Sequence, residues 1–231
     1  MKSTGQRSGT ISTWNRNPAD EEAMGAAHAP IWRRMIDVAI YGDLREASVL
    51  DYGCNQGGFL RMLHDRHPFH DAVGIDIARE SVARAELLKG HRPIEYKVGN
   101  SAAALGRTFN FAFSHEVLYL LPDLAAHAAD IKAALKPGGA YVAAMGCHTD
   151  SAVWPMWRQA LTETSSIPIY NHALDGVAKA FSEAGFTVGV RPLDLDAFMP
   201  VTVGSAYFPK VVDQIRYYSQ DKVLFRFVRS L

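Results

Sequence analysis

Between residues 47 and 145, short apolar runs alternate with helix-periodic stretches. This alternation constrains the fold more than any other feature of the chain. Residues 47–52 (ASVLDY), 72–77 (AVGIDI), 94–98, 109–114 (FNFAFS) and 140–145 read as five short buried strands. Between them, Phe59, Leu60 and Leu63 start one helix, and Val82, Ala85 and Leu88 mark a second, closed by Gly90. Leu124, Ala128, Ile131 and Leu135 mark a third, stopped by Lys136-Pro137-Gly138-Gly139. Strands apolar on both sides need cover on both faces. The expected fold class is therefore α/β: a doubly wound, mostly parallel sheet with helices on both faces. Leu174, Val177, Ala178 and Phe181 then give a helix before Gly185. Residues 186–190 and 223–228 read as two final strands with no long helical crossover between them, which predicts seven strands and an antiparallel C-terminal pair.

The 24 Lys and Arg balance 24 Asp and Glu, whereas nucleic-acid-binding domains usually carry a basic excess. No apolar stretch follows the basic residues of the N-terminus, and no run approaches the roughly 20 apolar residues of a spanning helix. Two cysteines, Cys54 and Cys147, make no disulfide framework. The expectation is a cytoplasmic protein that uses neither nucleic acid nor membrane as partner; a homodimer is left open. Residues 1–17 are polar and read as a mobile arm, with Trp14 as an anchor over a ligand. Asn17-Pro18 reads as a helix start, and a second helix is expected over 30–41. The organisation expected is an arm and lid over 1–28 and a main domain over 29–231. Insertions at about 148–170 and 194–221 would cover a substrate.

The first strand ends in Asp51-Tyr52-Gly53-Cys54-Asn55-Gln56-Gly57-Gly58. A strand, a glycine-rich turn and a helix start make a nucleotide-binding corner. Asp76, closing the second strand, is placed to accept both hydroxyls of a ribose. Asn55 stands where a dinucleotide fingerprint has its second glycine, and Asn tolerates the left-handed turn. An acid at position 51 suits a cationic amino group better than a pyrophosphate. An NAD-dependent oxidoreductase remains the alternative from the residues alone.

These residues, with four further blocks, resemble the class I S-adenosylmethionine-dependent methyltransferases. Val49 to Gly57 resembles the first motif and Gly74-Ile75-Asp76-Ile77 the second. Val98-Gly99-Asn100-Ser101 sits where the family has Gly-Asp-Ala. Phe113 to Leu118 with Leu121-Pro122-Asp123 resembles the fourth-strand block, and Leu135 to Gly139 the turn before the fifth strand. The resemblance is strong over about 45–147 and looser over 171–230. It implies a Rossmann-like methyltransferase fold, S-adenosylmethionine as cofactor, and in-line methyl transfer to a small, partly apolar acceptor. By the same resemblance, Asp51, Gly53, Cys54, Gly57, Asp76, Ile77, Asn100, Ser101, Ser114 and His115 would bind the cofactor. A non-catalytic cofactor-binding protein of the same fold is a second alternative, since Asn55 and Asn100 depart from the family pattern.

His115 and His148, at the expected ends of the fourth and fifth strands, are the catalytic candidates, and Glu116 is a further group at that edge. Trp14, Tyr119, Trp154, Trp157 and Tyr170 are the candidates for the acceptor wall, with Tyr207 and Phe208 as further aromatics of the insertions. His64, His67 and His70 are spaced three apart, but Pro68 interrupts them and no metal site is expected. Arg33-Arg34 reads as a solvated helix face that could reach a cofactor carboxylate.

Overall fold

A computed structural model describes residues 10–195, 198–201, 205 and 207–231. Residues 1–9 of the expected arm, and 196–197, 202–204 and 206 of the second expected insertion, lie outside the described residues. The elements run α1 (Pro18–Ala39), β1 (Ser48–Tyr52), α2 (Gly58–Arg66), β2 (Asp71–Asp76), α3 (Arg79–Leu88) and β3 (Ile94–Val98). They continue with β4 (Phe109–His115), α4 (Leu124–Ala134), β5 (Leu135–Met145), α5 (Trp154–Thr164) and α6 (Leu174–Glu183). The chain closes with β6 (Phe186–Pro192), α7 (Val211–Arg216) and β7 (Val223–Arg229). The seven strands form one sheet in the order β3-β2-β1-β4-β5-β7-β6. β1 to β5 pair in parallel, and β7 runs antiparallel between β5 and β6, as expected.

Strand alternation divides the core between the two faces. Leu50, Val73, Tyr141 and Phe227 pack to one side with Phe181; Val49, Ala72, Phe113 and Val142 pack to the other with Leu60 and Ile36. The order of strands reverses between β1 and β4, and in open α/β sheets ligands bind outside the carboxyl ends of the strands at such a point.

Two expectations need correction. The chain folds into one helix over Pro18–Ala39 rather than two, with Pro30 inside it. An interior proline removes the bond to the carbonyl four residues back and costs about 3 kcal/mol. Ala26, whose carbonyl loses that bond, is an exposed residue, and both it and Pro30 lie on the cavity described below. Opposing that cost, Ile31, Met35 and Ile36 are buried, and the Asn17 side chain caps the first turn by accepting from the Ala19 N–H. The second correction concerns β5, which begins at Leu135 and carries Lys136-Pro137-Gly138-Gly139 as an irregularity within the strand. Phe109 pairs with Leu135 and Phe111 with Ala140, so the glycines absorb the mismatch. Gly138 has φ +74°, and a Cβ on Gly139 would meet the Asn110 carbonyl at 3.0 Å.

The segment before α1 crosses the carboxyl end of β2. The Ile11 N–H donates to the Ile77 carbonyl at 3.0 Å, and the Arg79 N–H donates to the Ile11 carbonyl at 2.9 Å. Asn15 forms an antiparallel bridge to Ser165, beyond α5. Glu21, 1% exposed on α1, accepts the Trp14 N–H (2.6 Å), the Asn15 N–H (3.1 Å) and the Ser81 hydroxyl (2.6 Å). Among the described residues no helix is long and apolar enough to cross a membrane.

Candidate active site

A cavity of about 1780 Å³ opens over the carboxyl ends of β1, β2 and β4, roofed by α1. One end holds the glycine-rich corner. Gly53 has φ +77°, and a Cβ there would meet the Val117 methyl at 2.5 Å, so the position is restricted to glycine twice over. Asn55 adopts φ +45°, the left-handed conformation expected for it, with its side-chain oxygen accepting the Gln56 N–H at 2.7 Å. Asp76 holds the turn: its carboxylate accepts the Asn55 N–H at 2.8 Å and the Ala78 N–H at 2.9 Å. Burial raises the Asp76 carboxyl above its ordinary range, and these N–H groups oppose the rise.

Asp51 is the unusual member. It lies 4% exposed on the wall, and among the described residues nothing donates a hydrogen bond to its carboxyl. Burial and then the neighbouring Asp76 push it up to about 8. Two acids sharing one corner with no basic side chain bonded to either call for a cation from outside. Ile77, Asn100 and Ser101 line the same end. Ser101 donates to Asp130 at 2.5 Å, and Asp130 also accepts the Ala102 N–H at 2.7 Å. A nucleoside bearing a positive charge fits this donor and acceptor set: ribose hydroxyls at Asp76, the cation at Asp51, and an adenine edge near Asn100 and Ser101.

The opposite end is aromatic. Tyr119, Trp157, Tyr170, Tyr207, Phe208 and Tyr217 line it, with Trp14 on the arm. The Trp157 and Tyr217 rings meet at a tilt of 43° with centroids 4.5 Å apart, and the Trp157 indole donates to the Tyr207 carbonyl at 2.6 Å. At the end of β4, the Trp32 indole N–H donates to His115 Nδ1 at 3.2 Å, and the His28 ring meets His115 edge-on at 4.5 Å. Burial, Lys222 and His28 hold His115 well below its usual range; burial and Lys222 bring His28 down to about 4. The ring nitrogen His115 Nε2 and the indole nitrogen of Trp14 are buried with no partner among the described residues. An unsatisfied buried polar group costs about 1–3 kcal/mol, so both are of the kind that a ligand would satisfy.

Glu116 has φ +55°, rare for a side chain of its kind. Its carboxylate accepts the Gly146 N–H at 2.8 Å and the Cys147 N–H at 3.3 Å, and pairs with Lys222. Burial raises the Glu116 carboxyl, but Lys222 and these donors outweigh it and hold it below its ordinary range. The Lys222 side chain is 2% exposed yet forms part of the cavity wall.

Several sequence candidates are placed elsewhere. Ser114 and His115 are successive strand residues and face opposite sides; Ser114 bonds Tyr141 at 2.6 Å inside the core. Gly57 lies off the cavity; its carbonyl accepts the Tyr96 hydroxyl at 3.0 Å, and the Tyr96 ring occupies the space of a Cβ. His148 is turned away from the cavity, its Nε2 bonded to the Asp221 carbonyl at 2.6 Å. Trp154 is buried against Tyr119, with its indole N–H on Asn171 at 3.0 Å. Arg34 donates to the Asp194 carbonyl at 2.9 Å rather than reaching the cavity. Asp51, Gly53, Cys54, Asp76, Ile77, Asn100, Ser101 and His115 are brought together, as are Trp14, Tyr119, Trp157 and Tyr170. Sequence reasoning missed His28, Trp32, Asp130, Tyr217 and Lys222.

A family model described as a methyltransferase domain matches residues 24–189. The chain belongs to the class I S-adenosylmethionine-dependent methyltransferases. The match spans the corner, β4 and the chain into β6, so the methyltransferase's cofactor is S-adenosylmethionine and its fold is the Rossmann-like one. A chain of the complex between the Haloferax volcanii Trm112 methyltransferase activator and a methyltransferase is similar, with 20% identity and a TM-score of 0.80 over 93% of this chain and 95% of that one. The S-adenosylmethionine-dependent methyltransferase from Mesorhizobium loti is 18% identical, with a TM-score of 0.62 over 89% of this chain and 99% of that one. Geranyl diphosphate C-methyltransferase from Streptomyces coelicolor is 16% identical, with a TM-score of 0.64 over 95% and 90%. At these identities the likeness is one of fold. No curated protein matches the chain.

Proposed function

We propose that this methyltransferase acts on a small, partly apolar molecule held against the aromatic end of its cavity. The observation that carries the reading is the continuity of the cavity. Its roughly 1780 Å³ runs from the acidic corner to the aromatic wall, whereas a single drug-sized ligand takes roughly 300–1,000 Å³. Cofactor and acceptor then share one enclosure. The balance of 24 basic and 24 acidic residues argues against a polyanionic acceptor.

In this reading Asp51 holds the ammonium group of the cofactor and Asp76 the ribose diol. Gly53, Cys54 and Asn55 present backbone, Ile77 packs on the adenine, and Asn100 and Ser101 meet its edge. The bound cofactor supplies an electrophilic methyl group on a sulfonium. The chain's own work is positioning and the exclusion of water. His115 belongs to the acceptor side. The arm over 1–28 with the start of α1 serves as a lid, and the insertions at about 148–170 and 194–221 cover the acceptor.

The test is incubation with methyl-labelled cofactor and three pools: a small-molecule extract, unfolded proteins and total RNA. Label passing into the small-molecule pool is expected. Label confined to protein or RNA would overturn the reading.

A further inference from the structure

His115 and Lys222 bring hydrogen-bond donors to the acceptor end, where the Asp20 carboxylate also lies on the wall, near enough to Tyr207 to add to the rise that burial causes in its hydroxyl. An indole N–H can only donate, so the lone pair that receives Trp32 sits on His115 Nδ1, and the proton of the neutral ring sits on Nε2. That Nε2–H is buried with no acceptor among the described residues. Lys222, on the same wall, spends one N–H on Glu116 and has two more. Glu116 is engaged by four donors: Lys222, the Gly146 N–H and the Tyr217 hydroxyl meet one oxygen, and the Cys147 N–H meets the other. His28, brought down to about 4, is a poor proton acceptor for a hydroxyl or an ammonium group. Lys222 lowers both imidazoles, and at His28 its effect exceeds the opposing one of Glu116, so both rings face a cation more than an anion. The cofactor end carries Asp51, Asp76 and Asp130 instead.

We propose that the acceptor is an apolar carboxylic acid, its carboxylate held by His115 Nε2–H and Lys222 and converted to the methyl ester. The inference rests on the small-molecule reading above and narrows it. A carboxylic acid of ordinary pKa, about 4, is ionised at neutral pH and needs no base. Its oxygen forms the new bond to the methyl carbon as the methyl–sulfur bond breaks. The electron pair of that bond stays on sulfur, and no proton moves. A carboxylate and a sulfonium become a neutral ester and a neutral thioether, and exclusion of water favours such a loss of charge.

The experiment offers the full chain saturating cofactor with aryl and alkyl carboxylic acids, each matched by the phenol and the amine of the same skeleton. Mass spectrometry reads the product. Base-labile methyl esters are expected, with kcat/KM for the acid flat between pH 6 and 8. A parallel calorimetric titration places the acid turned over fastest, or the whole acid set if none is, on protein loaded with S-adenosylhomocysteine. His115→Leu is expected to weaken that binding at least tenfold. His115→Gln, whose amide keeps a donor, is expected to recover most of it, and the S-adenosylhomocysteine affinity of both should stay within threefold of the parent. Methylated phenols or amines without esters would overturn the carboxylate assignment while leaving the small-molecule reading in place. Label found only in protein or RNA would overturn both. Acid binding unmoved by His115→Leu would overturn the role given to that residue.

Discussion

Replacing Asp51 with Asn should strengthen the empty fold and weaken cofactor binding at once. The Asp51 carboxyl is pushed up from 3.8 to about 8 by burial and by Asp76. An acid whose pKa is raised by folding leaves its contribution intact below the unfolded pKa. That contribution is lost as pH rises toward the folded value, because the unfolded chain ionises freely there while the folded state still holds the proton. At pH 7 the expected penalty is about 4 kcal/mol from that shift. An amide left without partners takes back about 1–3 kcal/mol. The net gain of roughly 1–3 kcal/mol would raise Tm by about 2–10 °C for a domain of this size. The cost appears in binding, where a hydrogen bond to a charged partner contributes about 1.5–3 kcal/mol, or roughly 10- to 150-fold in Kd. In the parent, binding the cation forces Asp51 to ionise. Affinity for S-adenosylhomocysteine should therefore rise about tenfold per pH unit from pH 6, levelling near pH 8, where the amino group of the ligand starts to lose its own proton. Calorimetry in two buffers of different ionisation enthalpy reads the released proton, close to one at pH 7. Asp51→Asn should release none. A variant that keeps the proton release and the pH slope, or that melts below the parent at pH 8, would refute the reasoning.

Other substitutions probe neighbouring parts of the site. Gly53→Ala places a Cβ at 2.5 Å from the Val117 methyl on a φ of +77°, and should cost about 1–3 kcal/mol in a thermal melt and most of the cofactor affinity. Lys222→Met strands the Glu116 carboxylate and should cost about 3–5 kcal/mol in urea unfolding. Adding Glu116→Gln should recover part of that loss, since a buried pair is worth less than the penalty for breaking it. Trp154→Phe loses the bond to Asn171 and should lower stability by about 1 kcal/mol while leaving acceptor KM unchanged. Trp157→Ala, on the wall itself, should raise that KM.

The strands were legible because their apolar runs are short, rich in branched and aromatic residues and closed by turn residues. The corner was legible because Asp51, Gly53 and Asp76 lie close in sequence to the strands that place them. Misplacements had local causes. The family resemblance puts both Ser114 and His115 at the cofactor, whereas neighbours on a strand face opposite sides, a signal the sequence itself carries. Gly57 reads as a ligand contact until Tyr96, from β3, is seen to fill its space. Pro30 reads as a boundary because interior proline is costly, and only the burial of Ile31, Met35 and Ile36 shows what holds the helix together across it. Lys222 was out of reach for a different reason. Its partner Glu116 is distant in the chain, and β7 slots between β5 and β6 to bring the two together.

The proposed berth of the sulfonium nucleoside rests on two acids at the ends of β1 and β2. Titration calorimetry of the parent and of Asp76→Ala with S-adenosylhomocysteine and with NAD tests it most directly. The parent is expected to bind S-adenosylhomocysteine and not NAD. Asp76→Ala should lose at least a hundredfold in affinity, from two charge-assisted bonds of about 1.5–3 kcal/mol each. Asp76→Ala binding as tightly as the parent, or NAD binding in place of S-adenosylhomocysteine, would contradict it.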